Sequence, residues 1–136
     1  MSKFDQILIG TAQLWASASY CQRSRVGCVI TKDDRIIATG FNGTLPGEDN
    51  CCEENGITKD TVVHAEQNAI TFCAKHGLST KGCTLYTTVS PCMHCAKLII
   101  SSGITKVVFL DYYRDISGIE LLKQFGITVE GINNES

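Results

Sequence analysis

The sequence of 136 residues has few prolines, no long apolar run and no excess of charge of either sign. With only 2 prolines and no low-complexity stretch, it shows no linker that would divide the chain, so we expect one domain. Its apolar runs all fall short of the roughly 18 residues that cross a bilayer, which argues against a membrane-spanning protein. A net charge of −2 provides no overall positive field, which argues against binding to nucleic acid or to an anionic membrane surface.

The beginning of the chain shows no secretory signal, because residues 1–6 include an acidic side chain and no apolar h-region is visible. We therefore expect a cytoplasmic protein. Hydrophobic residues make up 43% of the sequence and charged residues 19%, a balance that favours a folded domain over a disordered chain. We expect this domain to cover residues 1–132, with a frayed tail over residues 133–136.

Cysteine is the one residue type in excess, with 8 in the chain. In a secreted protein this number would predict disulfides, but in a reducing compartment buried thiols and metal ligands are the remaining explanations. We assign Cys28, Cys73 and Cys83 to the first group, as core thiols. We expect His76 and His94 to be ordinary surface residues.

Hydrophobic periodicity and turn residues predict the element order α-β-β-α-β-α-β-α-β. The predicted helices cover the apolar positions from Phe4 to Ala18, residues 65–75, the stretch from Pro91 to about Gly103, and residues 118–124. The predicted strands cover residues 26–30, 35–39, 83–88, 106–110 and 127–131. This order predicts an α/β protein with three α-β-α layers, in which a mixed five-stranded sheet has helices on both faces. Residues 41–60 form a long polar loop, and such loops are usually functional.

Two of the predicted helices begin with residues that bind metals. Cys92 and Cys95 lie three residues apart at a helix start, so their sulfurs share one face and can reach one ion. A helix N-terminus also favours thiolate over thiol. His64 begins the other helix and adds a neutral nitrogen. Three ligands of this kind suit tetrahedral zinc, with the fourth position open for water.

Glu66 separates a catalytic site from a closed structural one. It lies two residues after His64, so it can stand beside a water whose pKa zinc lowers from about 15.7 to near 7. A carboxylate in this place can take the proton and pass it to a substrate, a contribution of roughly 10²–10⁴-fold.

Each motif alone has other interpretations. A His-x-Glu sequence occurs by chance, and Cys-x-x-Cys also fits a redox dithiol or two buried thiols. Taken together, His64-Ala65-Glu66 and Pro91-Cys92-Met93-His94-Cys95 match the pattern of zinc-dependent nucleobase deaminases.

The chain resembles the cytidine deaminase superfamily and, within it, the deoxycytidylate (dCMP) deaminases, phage forms included. The segments that carry the resemblance are Cys21–Gly27, Thr39–Thr44, Asn50–Cys52, His64–Ile70 and Pro91–Ile100, and the resemblance as a whole leaves only the tail uncovered. The resemblance implies a cytidine-deaminase-like fold. It also implies hydrolytic deamination of dCMP to dUMP with release of ammonia, a supply of dTTP precursor.

The resemblance implies a role for each site residue. His64, Cys92 and Cys95 would hold one zinc ion, and Glu66 would protonate N3 of the cytosine and then the leaving amine. The remaining assignments concern substrate contacts: Asn42 to the sugar, the Ala65 backbone N–H to the base carbonyl, Arg23 and Tyr113 to the 5′-phosphate, and Tyr112 near the pyrimidine ring. Purely structural alternatives remain for these contacts. Asn42 also suits a turn before Gly43. Arg23 and Arg25 also suit a solvated surface, and both tyrosines also suit packing at a strand end.

The resemblance further implies regulation and assembly. Many relatives are homohexamers that dCTP activates with Mg²⁺ and dTTP inhibits, and the loop with Gly43, Thr44 and Gly47 is a plausible effector site. Some relatives bind a second, structural zinc with cysteines that correspond to Cys21 and to Cys51 or Cys52. Because residues 55–63 contain neither histidine nor cysteine, we expect that second metal to be absent.

Three rival functions fit parts of the pattern. A deaminase acting within RNA or DNA would need a basic groove, which 12 Lys+Arg against 14 Asp+Glu disfavour. A non-enzymatic zinc or redox module would leave His64 and Glu66 unexplained. A deaminase of cytidine, deoxycytidine or dCTP is the nearest alternative, and Arg23 favours a monophosphate over these.

Overall fold

The computed structural model describes residues 2–132, and within them the predicted helices and strands occur in the predicted order, with two further short strands between the second strand and the second helix. The helices are α1 (Lys3–Ala16), α2 (Ala65–Lys75), α3 (Met93–Ser101) and α4 (Ser117–Gln124). The strands are β1 (Gly27–Lys32), β2 (Arg35–Phe41), β3 (Glu53–Glu54), β4 (Ile57–Thr58), β5 (Thr84–Val89), β6 (Lys106–Asp111) and β7 (Thr128–Gly131).

The central sheet is mixed and has five strands in the order β2-β1-β5-β6-β7. Strand β1 pairs antiparallel with both β2 and β5, whereas β5, β6 and β7 run parallel. The β1–β2 turn places Asp33 and Asp34 at φ 52° and 62°, the left-handed conformation that a tight hairpin turn requires. The predicted five-stranded mixed sheet is therefore confirmed.

Alternate residues of the central strands face two different helix layers. Val29, Tyr86 and Val108 are cross-strand neighbours that pack against Leu8 and Ile9 of α1. The residues next to them in sequence point to the opposite face, where they form the larger core with α2, α3 and α4; this core includes Cys28, Ile30, Leu85, Val107, Ala69, Ile99 and Leu122. Helices cover both faces, as the sequence predicts.

The long loop contains a small hairpin that the sequence reading missed. Its strands β3 and β4 have two residues each and pair antiparallel, Glu53 with Thr58 and Glu54 with Ile57. Such short strands show no alternation of apolar and polar residues. The turn between them was the available signal, because Asn55 and Gly56 adopt φ 56° and 75° and Asn-Gly favours a two-residue hairpin turn.

The apolar stripe predicted for α1 is only partly the face that packs on the sheet. The buried side of the helix carries Leu8, Ile9 and Ala12, whereas Phe4, Ile7 and Leu14 are 50%, 55% and 74% exposed. The stripe was drawn from apolar residues alone, and the buried face also contains Asp5. Helix α1 therefore presents apolar side chains on two sides.

Two further expectations concern the end of the chain and its location. The frayed tail predicted for residues 133–136 lies outside the described residues. Within residues 2–132, none of the helices combines the length and hydropathy needed to cross a membrane. The cytoplasmic location stays a prediction.

A buried carboxylate fastens α1 to the sheet. Asp5 is only 4% exposed, accepts a hydrogen bond from the Tyr86 hydroxyl at 2.6 Å and pairs with Lys106 Nζ at 3.3 Å. Its other neighbours are the backbone N–H of Ser2 and, across Lys106, the carboxylate of Glu130. Burial raises the pKa of Asp5, but the bonds from Tyr86 and Ser2 and the charge of Lys106 outweigh burial and lower the pKa below its usual 3.8.

Asp5→Asn is expected to destabilise the fold by about 1–3 kcal/mol at pH 7, because it removes the ion pair with Lys106 and weakens the bond from Tyr86. The folded-state pKa is depressed, so the contribution of Asp5 is present above pH 3.8 and is lost as the pH falls below that value. Urea unfolding of both proteins from pH 7 to pH 3 measures this. Asp60→Asn, at an exposed loop position, is the control, and a stability gap that stays constant down to pH 3 would contradict the assignment.

Candidate active site

Helices α2 and α3 begin at the same edge of the sheet. Strand β2 runs in the direction of β5, so their carboxyl ends lie together at this edge. His64 is the N-cap residue of α2 and Cys92 is the N-cap residue of α3. In sheets of this kind ligands bind beyond the carboxyl ends of the strands, which is where these two side chains lie.

Two close backbone contacts set the positions of these helix starts. At Gly40 a Cβ would overlap the carbonyl oxygen of Ala65, so the missing side chain lets α2 lie directly on β2. Asn68 adds a hydrogen bond of 2.7 Å from its Nδ2 to the carbonyl of Phe41. At Gly118 a Cβ would overlap the carbonyl oxygen of Pro91, so α4 packs against the backbone that leads into Cys92.

The three predicted metal ligands lie together. His64 Nδ1 is 3.2 Å from Cys95 Sγ and 3.6 Å from Cys92 Sγ, and all three ligand atoms lie within 4.8 Å of one another. Among residues 2–132 this cluster contains no fourth histidine, cysteine or carboxylate donor. One imidazole nitrogen and two sulfurs, with one position left open, are the donor set that catalytic zinc prefers, so the residues fit that ion.

The surroundings of the cluster shift the pKa values of its two cysteines in opposite directions. Hydrogen bonds from Cys95 and from His64 outweigh partial burial and lower the pKa of the Cys92 thiol to about 3. The same bond to Cys92, together with burial, raises the pKa of Cys95. A bond with Cys92 also raises the pKa of the His64 imidazole. The lowered pKa of Cys92 favours its thiolate, the form that binds metals.

Glu66 is the second residue of α2, two positions after His64, and it is almost completely buried, with 4% exposure. Burial raises the pKa of its carboxyl to about 7, against the opposing influence of its own backbone N–H and of His64. It does not belong to the donor cluster, but it lines the same cavity as His64 and Cys92. A buried carboxyl group in this position suits the predicted role of a proton carrier.

The cavity above the cluster has a volume of about 380 Å³, within the usual range for small-molecule sites. Its wall brings together most of the residues predicted from the sequence: Arg23, Asn42, His64, Ala65, Glu66, Cys92 and Tyr113. Cys95 is fully buried behind this wall and reaches the site through its contact with His64.

Some predicted residues are not brought into the cavity. The ring of Tyr112 packs edge-on against Phe109, with centroids 4.8 Å apart, and Tyr112 is not among the described residues that line the wall. The predicted position of Tyr112 near the pyrimidine ring stays a prediction, and in this structure its ring contacts Phe109. Gly43, Thr44 and Gly47 also lie outside the wall, although Gly43 pairs with Val63, directly before His64.

Asn42 already has two structural bonds. Its Oδ1 accepts from the backbone N–H of Val26 at 2.8 Å, and its Nδ2 donates to the carbonyl of Ser24 at 2.8 Å. The amide oxygen can accept one more hydrogen bond and the amide nitrogen can donate one more, so both atoms can still contact a sugar hydroxyl. Asn42 therefore does more than the alternative of a turn residue implied, because its amide holds the neighbouring segment with Ser24 and Val26 in the wall.

The structure adds residues that the sequence reading did not assign to the cavity. Arg114 lines it beside Tyr113, whose backbone N–H donates to Ser90 Oγ at 2.6 Å. Adjacency to Tyr113 was the only signal for Arg114. Glu53 also lines the wall, and no motif indicated it.

The assignment of every cysteine to buried thiols or metal ligands is wrong for one pair. Cys21 and Cys52 form a disulfide at a sequence separation of 31. The error came from excluding disulfides on the basis of the expected compartment. Cys28, Cys73 and Cys83 are buried free thiols, and His76 and His94 are exposed, as predicted. The side-chain donors of Cys21, Cys52 and Glu53 lie within 4.8 Å of one another, and the expected absence of a second metal stays a prediction.

Comparisons with known proteins agree with the chemistry of this site. A family model described as the cytidine and deoxycytidylate deaminase zinc-binding region matches residues 2–111, a range that contains both helix-start motifs. ComE operon protein 2 of Bacillus subtilis is 38% identical over 134 residues, which cover 95% of this chain and 71% of that protein. The deoxycytidylate deaminase of Mycobacterium phage D29 is 37% identical over 121 residues, which cover 78% of this chain and 93% of the phage protein.

Solved structures show the same similarity in three dimensions. The dCMP deaminase of cyanophage S-TIM5, in complex with dCMP and dUMP, superposes with a TM-score of 0.94 at 40% identity, and the match covers 97% of this chain and 99% of that one. A tRNA:A34 deaminase superposes with a TM-score of 0.68 at 22% identity, a likeness of fold alone.

Cys95→Ala is expected to lose bound zinc, from about one ion per chain to well below one, because it removes a sulfur from a three-donor site. Glu66→Gln is expected to retain the ion, because Glu66 lies outside the donor cluster. Elemental analysis after zinc loading and gel filtration measures both. Cys83→Ala is the control, because Cys83 is as buried as Cys95 but does not belong to the donor cluster. Full zinc content in Cys95→Ala, or loss in Cys83→Ala, would show that the ligands are wrongly assigned.

Proposed function

The chain belongs to the cytidine and deoxycytidylate deaminase family, and on that premise we propose that it hydrolyses dCMP to dUMP and ammonia. The observation that carries this proposal is one cavity that joins the His64, Cys92 and Cys95 cluster and a buried carboxyl to arginines at its wall. The phage relatives compared above bear the name of this activity, and one was solved with this substrate and product. The product would serve as a precursor of dTTP.

The residues of the cluster would hold zinc, which supplies Lewis-acid activation of water when bound. Glu66 is the carboxyl group beside the cluster, so it can accept a proton from the attacking water and deliver it to N3 of the cytosine. The remaining hydroxide would add at C4, and the proton of the new C4 hydroxyl would then pass through Glu66 to the 4-amino group, so that the C4–N4 bond breaks and C4 keeps a carbonyl oxygen. The amino group then leaves as ammonia, and the base becomes uracil.

Backbone and amide groups of the wall would orient the nucleoside. Ala65 is the first residue of α2, where backbone N–H groups lack intrahelical partners, so its N–H suits the carbonyl oxygen of the base. The spare hydrogen-bonding positions of Asn42 suit a hydroxyl of the sugar. Burial of Ala65 and Glu66 keeps bulk water away from the reacting carbon.

The 5′-phosphate would lie between Arg23 and the Tyr113–Arg114 segment. Arg23 comes before β1 and Arg114 follows β6, yet both line the same cavity. A guanidinium can donate two parallel hydrogen bonds to a pair of phosphate oxygens, which favours a monophosphate over an uncharged nucleoside. This feature separates dCMP from cytidine and deoxycytidine as the substrate.

Arg23→Ala and Arg114→Ala are each expected to raise KM for dCMP by roughly 10–100-fold, the loss of one charge-assisted hydrogen-bonding group. KM for deoxycytidine is expected to stay within about twofold, because that molecule has no phosphate. Steady-state kinetics on both substrates checks this. Arg35→Ala, which changes an exposed arginine at the opposite end of β2, is the control. An unchanged preference for dCMP over deoxycytidine in both arginine variants would remove the phosphate assignment.

A panel of substrates scored for ammonia release tests the proposal itself. We expect turnover of dCMP to exceed that of deoxycytidine, cytidine and dCTP. Turnover of an oligonucleotide without turnover of free dCMP would favour the nucleic-acid deaminase instead. Absence of ammonia release from every cytosine nucleotide would favour a non-enzymatic zinc module.

Regulation and assembly follow from the family resemblance as part of the same proposal. The loop with Gly43, Thr44 and Gly47 would take dCTP, with Mg²⁺, as activator and dTTP as inhibitor. The pairing of Gly43 with Val63 supports this, because it connects the loop to the residue before His64. The exposed apolar residues Phe4, Ile7 and Leu14 of α1 are consistent with a homo-oligomer, for which a hexamer is favoured.

We expect dCTP with Mg²⁺ to lower the half-saturating dCMP concentration and dTTP to raise it, since each effector would shift the position of the loop before His64. Saturation curves with each effector measure this, and sedimentation velocity gives the subunit number. Curves that superpose with and without both effectors would contradict the regulatory part. A monomer at assay concentration would contradict the assembly.

A further inference from the structure

The wall segment that carries Arg23 has no regular structure of its own. Residues 21–26 connect α1 to β1 and contain neither helix nor strand, yet Cys21, Arg23, Ser24 and Val26 all line the cavity. A segment without its own backbone ladder keeps one conformation only if neighbouring groups hold it. The direction in which Arg23 points therefore depends on these outside contacts.

Three residues from later in the chain, Asn42, Cys52 and Glu53, hold this segment. Cys21 is bonded to Cys52, and Asn42 fixes the Ser24 carbonyl and the Val26 N–H. Between these two anchors, a single oxygen of Glu53 accepts hydrogen bonds from the backbone N–H of Gln22 at 3.0 Å and of Arg23 at 3.1 Å. Glu53 is thus the contact nearest to the arginine.

The carboxylate of Glu53 lies where a negative charge is unfavourable for binding an anion. Glu53 lines the cavity in which Arg23 and Arg114 would meet an anion, and a negative charge there repels a phosphate. Its two hydrogen bonds are charge-assisted and so are stronger than bonds between neutral groups. Since Glu53 begins the β3–β4 hairpin, it also transfers the position of that hairpin to the arginine segment.

We propose that Glu53 is a positioning residue for substrate binding: its carboxylate fixes the backbone of Gln22 and Arg23 so that the Arg23 side chain meets the 5′-phosphate. The inference rests on the proposed function, because it assumes a phosphorylated substrate. Glu53 contacts no reacting atom in this scheme and acts through the main chain of Arg23.

Kinetics of three variants separate geometry from charge. Glu53→Ala removes the acceptor and is expected to raise KM for dCMP by roughly tenfold, with kcat and the KM for deoxycytidine within about twofold. Glu53→Gln keeps an oxygen acceptor and removes the repulsive charge, so its KM for dCMP is expected to stay within about threefold of the parent protein. Glu54→Ala, an exposed glutamate on the same strand, is the matched control and is expected to change neither value.

Amide hydrogen exchange gives a readout that does not need turnover. The N–H groups of Gln22 and Arg23 are expected to exchange slowly in the parent protein and in Glu53→Gln, and at least about tenfold faster in Glu53→Ala. Slow exchange in Glu53→Ala would overturn the contact itself.

The kinetic outcomes distinguish this inference from the proposed function. A parent protein that turns over dCMP, with an unchanged or lowered KM in Glu53→Ala, would overturn the positioning role alone. An equal rise in KM for dCMP and deoxycytidine would also overturn it, because it would indicate a general collapse of the wall. A parent protein that shows no preference for dCMP would overturn the proposed function, and the positioning role with it, even if the exchange data confirm the two hydrogen bonds.

Discussion

One imidazole nitrogen lies 3.2 Å from Cys95 Sγ and 3.6 Å from Cys92 Sγ, and the surrounding fold is arranged to keep it there. The contact joins the starts of two helices, since His64 and Cys92 are 28 positions apart in sequence. It requires that both helices begin at one edge of the sheet. The absence of a side chain at Gly40 and at Gly118 permits the close packing that brings them to this edge.

The cavity extends this contact into a site with two chemically different ends. At the inner end lie Cys92, whose pKa is lowered, and the buried Glu66, whose pKa is raised, and these groups suit metal binding and proton transfer. At the outer end Arg23 and Arg114 come from segments far apart in sequence. These outer groups lie on irregular segments, so they depend on side-chain anchors, whereas the inner groups lie on helix starts. We therefore expect substitutions in the irregular segments to alter mainly substrate affinity. We expect the positions of the groups at the helix starts to depend mainly on helix packing.

The elements with a strong local pattern could be predicted from the sequence, and so could the residues that begin them. The five strands of the sheet and the motifs at His64 and Cys92 fall in this group. The β3–β4 hairpin could not be predicted from periodicity, because strands of two residues have none. The sequence did not predict Arg114 as a cavity residue or the Cys21–Cys52 disulfide, because each depends on a contact between distant segments. The outward face of α1 was misjudged for a related reason: Phe4 is apolar, but nothing within the described chain covers it fully.

The central claim is that a single metal ion is held by one nitrogen and two sulfurs of this chain, with room for a further light ligand. X-ray absorption at the zinc edge of the loaded protein tests this most directly. The account predicts two sulfur neighbours at about 2.3 Å and two nitrogen or oxygen neighbours at about 2.0–2.1 Å, with one zinc per chain. Three or four sulfur neighbours, or none, would contradict it.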